Sequence, residues 1–261
     1  MAGTPPVMRN PDPSSGAALA LPSRKMLAEE ILVVLSLSLL ASAVFALIDL
    51  LSAPVSRRVA VRLFADVQLA RQLASIVLDL APVALVLHLA RRTGEGLRPF
   101  GLATNTLGRD AAWGLLAGLG VAIAGLGVYL AGLALDVNRF VVPVPPLGHW
   151  WTVPILVLGA MQNALLEEVV AVGYLIRRLE QTGWSALAAV ATSAVLRGSY
   201  HLYQGWSAFV GNLALGLAFG YAFQRWRRTW PLVTAHFAVD VLAGVAYIGL
   251  RGRCFLDVCV P

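Results

Sequence analysis

The chain has 261 residues, 58% of them apolar and 13% charged, and its mean hydropathy is +0.74. Soluble domains carry about 25% charged residues, so too few polar side chains are present to cover a water-facing surface, and an ordinary cytosolic enzyme is excluded. The formal charge of +6 comes from 20 basic and 14 acidic residues, but the basic ones form short clusters between apolar runs with no aromatic interleaving, a pattern that speaks for membrane orientation and against nucleic acid.

Residues 1–25 hold Pro5, Pro6, Pro11, Pro13 and Pro22 with Ser14, Ser15 and Gly16, too little apolar surface to offset the entropy of ordering, and a disordered tail is expected there. Seven apolar segments follow within 26–250, at 29–51, 69–90, 110–135, 151–176, 184–201, 207–224 and 230–250. Most are near the ~20 residues a helix needs to cross the hydrocarbon. The predicted fold is all-α, a polytopic transmembrane bundle of about seven helices, closed by a tail at 251–261. The first segment follows Arg24 and Lys25 and is longer than the 7–15 residue core of a signal peptide, so it reads as a retained helix. Lys25 is the sole lysine, and the Arg, Ala, Gly, Leu and Val excess suggests a GC-rich bacterium and its cell membrane. Placing the N-terminus inside puts Arg9, Arg24, Lys25, Arg91, Arg92, Arg98, Arg109, Arg177, Arg178, Arg225, Arg227 and Arg228 on the cytoplasmic side. Arg57, Arg58, Arg62, Arg71, Arg139, Arg251 and Arg253 then lie outside, and the bias favours that orientation.

The third segment is rich in glycine (Gly114, Gly118, Gly120, Gly125, Gly127), which permits close helix packing. Pro143-Val144-Pro145-Pro146 reads as a rigid extended loop, and Trp230-Pro231 as a helix start. Cys254 and Cys259 are the only cysteines; an outside location would let them close a small disulfide loop, and two free thiols are the alternative.

An ionised group at mid-membrane costs at least ~2.5–3.5 kcal/mol, so each one asks for a partner or a role. Glu167 and Glu168 lie in the fourth segment, Arg197 and His201 in the fifth, His236 and Asp240 in the seventh. Residues four apart share a helix face, so Arg197 points with His201, and Asp240 is placed to orient the His236 imidazole. Neighbouring Glu167 and Glu168 are turned by about 100° and should not face one point squarely, so one can aim at the shared cavity while the other turns to a neighbouring helix. The plain alternative for the pair is a helix end whose glutamates snorkel toward Arg177 or Arg178. Asp49 and Asp79 have no matching histidine, and His88 and His149 sit at segment boundaries as interfacial anchors. A carboxylate on one helix and an imidazole on each of two others can converge on a water, either as general base with oxyanion donors or as a Glu/His/His site for a divalent metal such as zinc. Both are hydrolytic, and amide hydrolysis fits best.

The runs Glu167-Glu168-Val169-Val170-Ala171-Val172, Arg197-Gly198-Ser199-Tyr200-His201 and His236-Phe237-Ala238-Val239-Asp240 resemble the EExxxR, FxxxH and HxxxN/D motifs of the CPBP family of intramembrane proteases, which includes the CAAX prenyl endopeptidases and the bacterial Abi proteins. The resemblance covers about residues 150–250. It implies an intramembrane endopeptidase acting on a membrane-attached peptide or protein, with Glu167 and Glu168 activating water and His201, His236 and Asp240 as oxyanion donors or metal ligands. Bacteria generally lack prenylated CAAX proteins, so the family name does not identify the substrate. Two positions depart from the motifs, because Val172 replaces the arginine and Arg197 the phenylalanine. The expectation is that these departures compensate, with Arg197 supplying across the helix interface the cation missing at Val172.

Counted from the turn near Gly183, Glu167 and His201 lie roughly 24 and 27 Å along their helices, whereas His236 lies about 12 Å past the turn near Arg228. They meet only if the fourth and fifth helices project about 10 Å beyond the membrane, are strongly tilted or are kinked, and projection is expected. The expected peptidase cuts near the cytoplasmic face of membrane-attached or amphipathic substrates. Other readings of the same residues are an inactive family member that binds a membrane partner, as in bacteriocin immunity, and a proton-coupled transporter.

Overall fold

The computed structural model describes residues 23–39, 42–43, 65–139, 141–255 and 258–259. Most of the expected N-terminal tail, and Asp49, Arg57, Arg58 and Arg62, lie outside the described residues. The helices are α1 (Arg24–Ser36), α2 (Ala65–Asp79), α3 (Ala81–Arg92), α4 (Leu107–Ala134), α5 (Thr152–Leu166), α6 (Leu175–Gln181), α7 (Ala186–Tyr200), α8 (Trp206–Trp226) and α9 (Trp230–Leu250). A π-helical stretch, Glu167–Tyr174, joins α5 to α6 without a break, and a single residue, Leu80, separates α2 from α3. The described chain therefore forms seven helical rods, one for each apolar segment. Five are long and apolar enough to cross a membrane: Gln72–Arg92, Leu107–Ala134, Thr152–Gln181, Trp206–Trp226 and Trp230–Leu250. In the C-terminal tail, Cys254–Phe255 pairs with Val258–Cys259 and sets the backbone of Cys254 opposite Cys259.

Local chemistry fixes the rod ends. Gly183, at φ +95°, provides the left-handed turn that ends α6. The Ser185 hydroxyl then accepts from the Ala188 N–H to cap α7. Pro231 sits in the first turn of α9, where its missing N–H costs nothing. One end of the bundle is stapled by polar contacts: Thr229 N–H donates to Gly101 O at 2.9 Å, Arg228 pairs with Asp110 and Arg227 with Glu180. At the other end Asn138 bridges Gly205 and the Thr152 hydroxyl donates to Pro146 O.

The glycines of α4 divide into two groups. A Cβ at Gly114 would stand 2.5 Å from Pro231 O, and one at Gly118 2.7 Å from Ala235 O, so these two let α4 lie against α9. Gly120, Gly125 and Gly127 face open space. Gly173 has the same close-contact role, because a Cβ there would meet Phe100 O at 2.8 Å and Thr229 Oγ1 at 3.1 Å. That contact puts residue 173 level with the start of α9. α6 accordingly runs on past the level of the α8–α9 turn, which offsets the difference in depth from the side of the α5–α6 rod.

Candidate active site

Three rods bring four charged or ionisable groups into one buried cluster. Glu167 and Glu168 come from the π-helical stretch, Arg197 from α7 and His236 from α9. The Arg197 guanidinium donates from Nη1 to Glu168 Oε1 at 2.7 Å, and its Nη2 stands 3.4 Å from Glu167 Oε2. Glu168 is fully enclosed and Arg197 is 2% exposed, and the flat face of the guanidinium lies over the Phe219 ring, 5.4 Å from its centroid. Val172 is buried with Phe219 and Ala235 in the adjoining apolar cluster. The cation therefore reaches the glutamates from α7 and not from position 172.

The two glutamates part as expected, Glu167 toward a cavity and Glu168 toward Arg197 and His236 on neighbouring helices, yet they share one partner. Both reach one guanidinium, because the i→i+5 turns of the π-helix widen the backbone and reduce the rotation between neighbours, and because a planar fork spans two carboxylates. The Ala171 carbonyl in this stretch accepts the Ser193 hydroxyl of α7 at 2.7 Å. Nor do the glutamates snorkel toward Arg177 or Arg178, which pair instead with Glu95 and with Glu30.

His236 Nδ1 lies 2.8 Å from Glu168 Oε1 and 3.3 Å from Arg197 Nη2. A carboxylate at that distance requires Nδ1–H as donor, since a carboxylate has no proton to give. Asp240 stands 3.6 Å from Nε2 on the other side of the ring. The close orienting partner of His236 is thus Glu168, on another helix, with Asp240 the more distant one. His201 donates from Nδ1 to Arg197 O at 2.9 Å, the bond back to its own helix that fixes its ring and leaves Nε2 unspent.

A residue that the sequence reading passed over completes the cluster. The Tyr200 hydroxyl donates to Glu167 Oε2 at 2.7 Å. With Arg197 it holds that oxygen from the protein side.

Glu167, Tyr200, His201, His236 and Asp240 all line a cavity of about 1170 Å³. Glu168 and Arg197 are not among its lining residues. Asp79 is on its wall, accepting the Ser75 hydroxyl at 2.9 Å, so a residue set aside in the sequence belongs to the cavity. The division between the two glutamates is plain: Glu168 is spent on Arg197 and His236, and Glu167 has one oxygen held and faces open space.

The fit of a metal can be judged from the donors. Among the described residues, the ligand atoms that come within 4.8 Å of one another belong to Glu167, Glu168 and His236, and His201 stands outside that group. Within the group, Glu168 Oε1 and His236 Nδ1 face each other, and the Arg197 cation sits against both carboxylates. Zinc needs free donors about 2.0–2.2 Å away and gains nothing from a neighbouring guanidinium. The arrangement does not fit a zinc ion.

Fold and site together define a multi-pass helical membrane protein with a buried Glu–Arg–His cluster at the base of a cavity. Residues 149–242 match the family model described as type II CAAX prenyl endopeptidase Rce1-like. That match spans about a third of the chain and contains every residue of the cluster. No curated protein and no solved structure matches the chain.

Proposed function

We propose that the protein is an intramembrane endopeptidase in which Glu167 activates the attacking water. The observation that carries this reading is the unequal position of the paired glutamates, one enclosed and one on the cavity wall. The Glu167 oxygen facing the cavity takes a proton from water as the water oxygen bonds to the scissile carbonyl carbon. The carboxylic acid so formed returns that proton to the leaving amine as the C–N bond breaks. His236, with a carboxylate beside each ring nitrogen, can donate from Nε2 to the developing oxyanion. His201, its Nδ1–H fixed on a backbone carbonyl, offers Nε2 to orient the water. Glu168 and Arg197 meet no substrate and act by holding Glu167 and His236 in place. Arg197 beside Glu168 also supplies the charge that Val172 lacks, which supports an active enzyme over an inactive binding member.

Comparative membrane proteomics of cells carrying the wild type or Glu167→Gln tests the proposal. A membrane-attached polypeptide should accumulate uncut in the variant, with its fragment missing. Indistinguishable proteomes at equal amounts of folded protein would overturn it.

A further inference from the structure

The two ends of the bundle differ in charge, and the cavity reaches only one of them. The end stapled by Thr229, Gly101 and Arg178 carries eleven of the described basic residues, from Arg24 and Lys25 on α1 to Arg225 in the last turn of α8 and Arg227 and Arg228 just after it. The opposite end carries Arg71, Arg139, Arg251 and Arg253 among the described residues. An excess of arginine at one end of the spans marks the cytoplasmic side.

The cavity walls come from the arginine-poor end. Above Glu167, His201 and His236 they are built by Val141–Pro145, the loop between α4 and α5, and by Tyr203 and Gln204 in the turn between α7 and α8. The arginine-rich end contributes no lining residue: neither the 93–101 loop nor α6 nor the α8–α9 turn takes part. Glu167 lies fifteen residues below the start of α5 at Thr152, about 22 Å at 1.5 Å per residue. An extended chain covers that depth with about six or seven residues.

Resting on the endopeptidase reading, we propose that the cavity opens on the extracytoplasmic side and takes an extended, unstructured segment of a membrane-inserted or exported polypeptide presented from that side. The cut then falls deep in the bundle, toward the arginine-rich end, while the substrate arrives from the opposite side. Folded proteins are excluded as substrates, because six or more residues must pass the mouth before a peptide bond meets Glu167.

Thiol labelling tests the side of access without any substrate, so its outcome is separate from that of the endopeptidase reading. Cys254 and Cys259 are first replaced by serine, and single cysteines are introduced as Val142→Cys at the mouth, Gly159→Cys on the wall and Arg225→Cys at the opposite end. Gly159 lines the cavity and a Cβ there meets nothing within 4 Å. A membrane-impermeant maleimide should label Val142→Cys and Gly159→Cys in intact cells, and Arg225→Cys only in inverted vesicles. The reversed pattern overturns the orientation. Labelling of Val142→Cys from outside while Gly159→Cys stays unlabelled from that side overturns the access route.

Discussion

Among the described residues two arginines are buried, each between two acids, and only one of them belongs to a site. Arg178 on α6 is fully enclosed, bonded to Glu30 at 3.0 Å, to Glu95 and to Gln181 at 2.6 Å, with its guanidinium over the Phe100 and Tyr174 rings. Gln181 also donates to Glu95 at 2.8 Å. Neither Arg178 nor its acids line the cavity; this cluster ties α1, the 93–101 loop and α6 together. Arg197 is as well enclosed, yet one of its two acids faces open space and a neighbouring imidazole keeps a nitrogen unspent. Burial and ion pairing are common to both clusters. What separates a candidate site from a staple is a carboxylate whose second oxygen is uncommitted beside a cavity.

The largest effects should come from the arginines themselves. Arg178→Ala and Arg197→Ala each strand buried carboxylates and should cost about 3–5 kcal/mol, seen as a lower melting temperature in detergent. The comparison sharpens on rescue: Val172→Arg should recover folded protein in the Arg197→Ala background and do nothing for Arg178→Ala. Equal rescue, or none in either, would break the claim that Arg197 stands in for position 172.

Packing gives the next effect. Gly118→Ala presses a methyl into Ala235 of α9 and should destabilise by about 1–3 kcal/mol, whereas Gly120→Ala, facing open space, should be neutral or slightly stabilising through helix propensity. Thermal unfolding of the two variants side by side checks this.

Tyr200→Phe removes one hydrogen bond to Glu167, worth about 0.5–1.5 kcal/mol, and should slow cleavage by up to about tenfold with little change in melting temperature. A loss of stability with cleavage per folded molecule unchanged would place Tyr200 with the staple.

The smallest effect concerns pH. Burial pushes the Glu95 carboxyl up, but the hydrogen bond and charge of Arg178 outweigh it and hold the group below its ordinary 4.5. A carboxyl depressed by folding stabilises the protein fully above its ordinary value and loses that contribution as the pH falls through the lowered one. The stability gap between wild type and Glu95→Gln should therefore be constant above about pH 5 and shrink below 4.5.

Hydropathy made the seven rods legible, because lipid demands long apolar runs whatever the tertiary contacts. The Arg197 pairing was legible too, since a buried cation and a buried anion without partners in their own helices must find each other. The π-helical stretch was not: Glu167–Tyr174 has no composition that marks it, and groups that meet it, such as Ser193, lie on another helix. Without it the division of the two glutamates between cavity and neighbouring helix was legible, but not that both would reach one guanidinium. Tyr200 was missed because a tyrosine beside a histidine carries no periodic signal, and its role follows only from where α7 meets the π-stretch. Arg178 was read as a cytoplasmic anchor because its partners, Glu30 and Glu95, are 148 and 83 residues away in sequence.

The most direct test compares Glu167→Gln with Glu168→Gln in reconstituted membranes, reading melting temperature and peptide cleavage on the same samples. The account predicts that Glu167→Gln melts close to wild type and loses cleavage by about 10²–10⁴-fold, while Glu168→Gln loses stability as Arg197 and His236 are left with a neutral partner. Sustained cleavage by folded Glu167→Gln would contradict it.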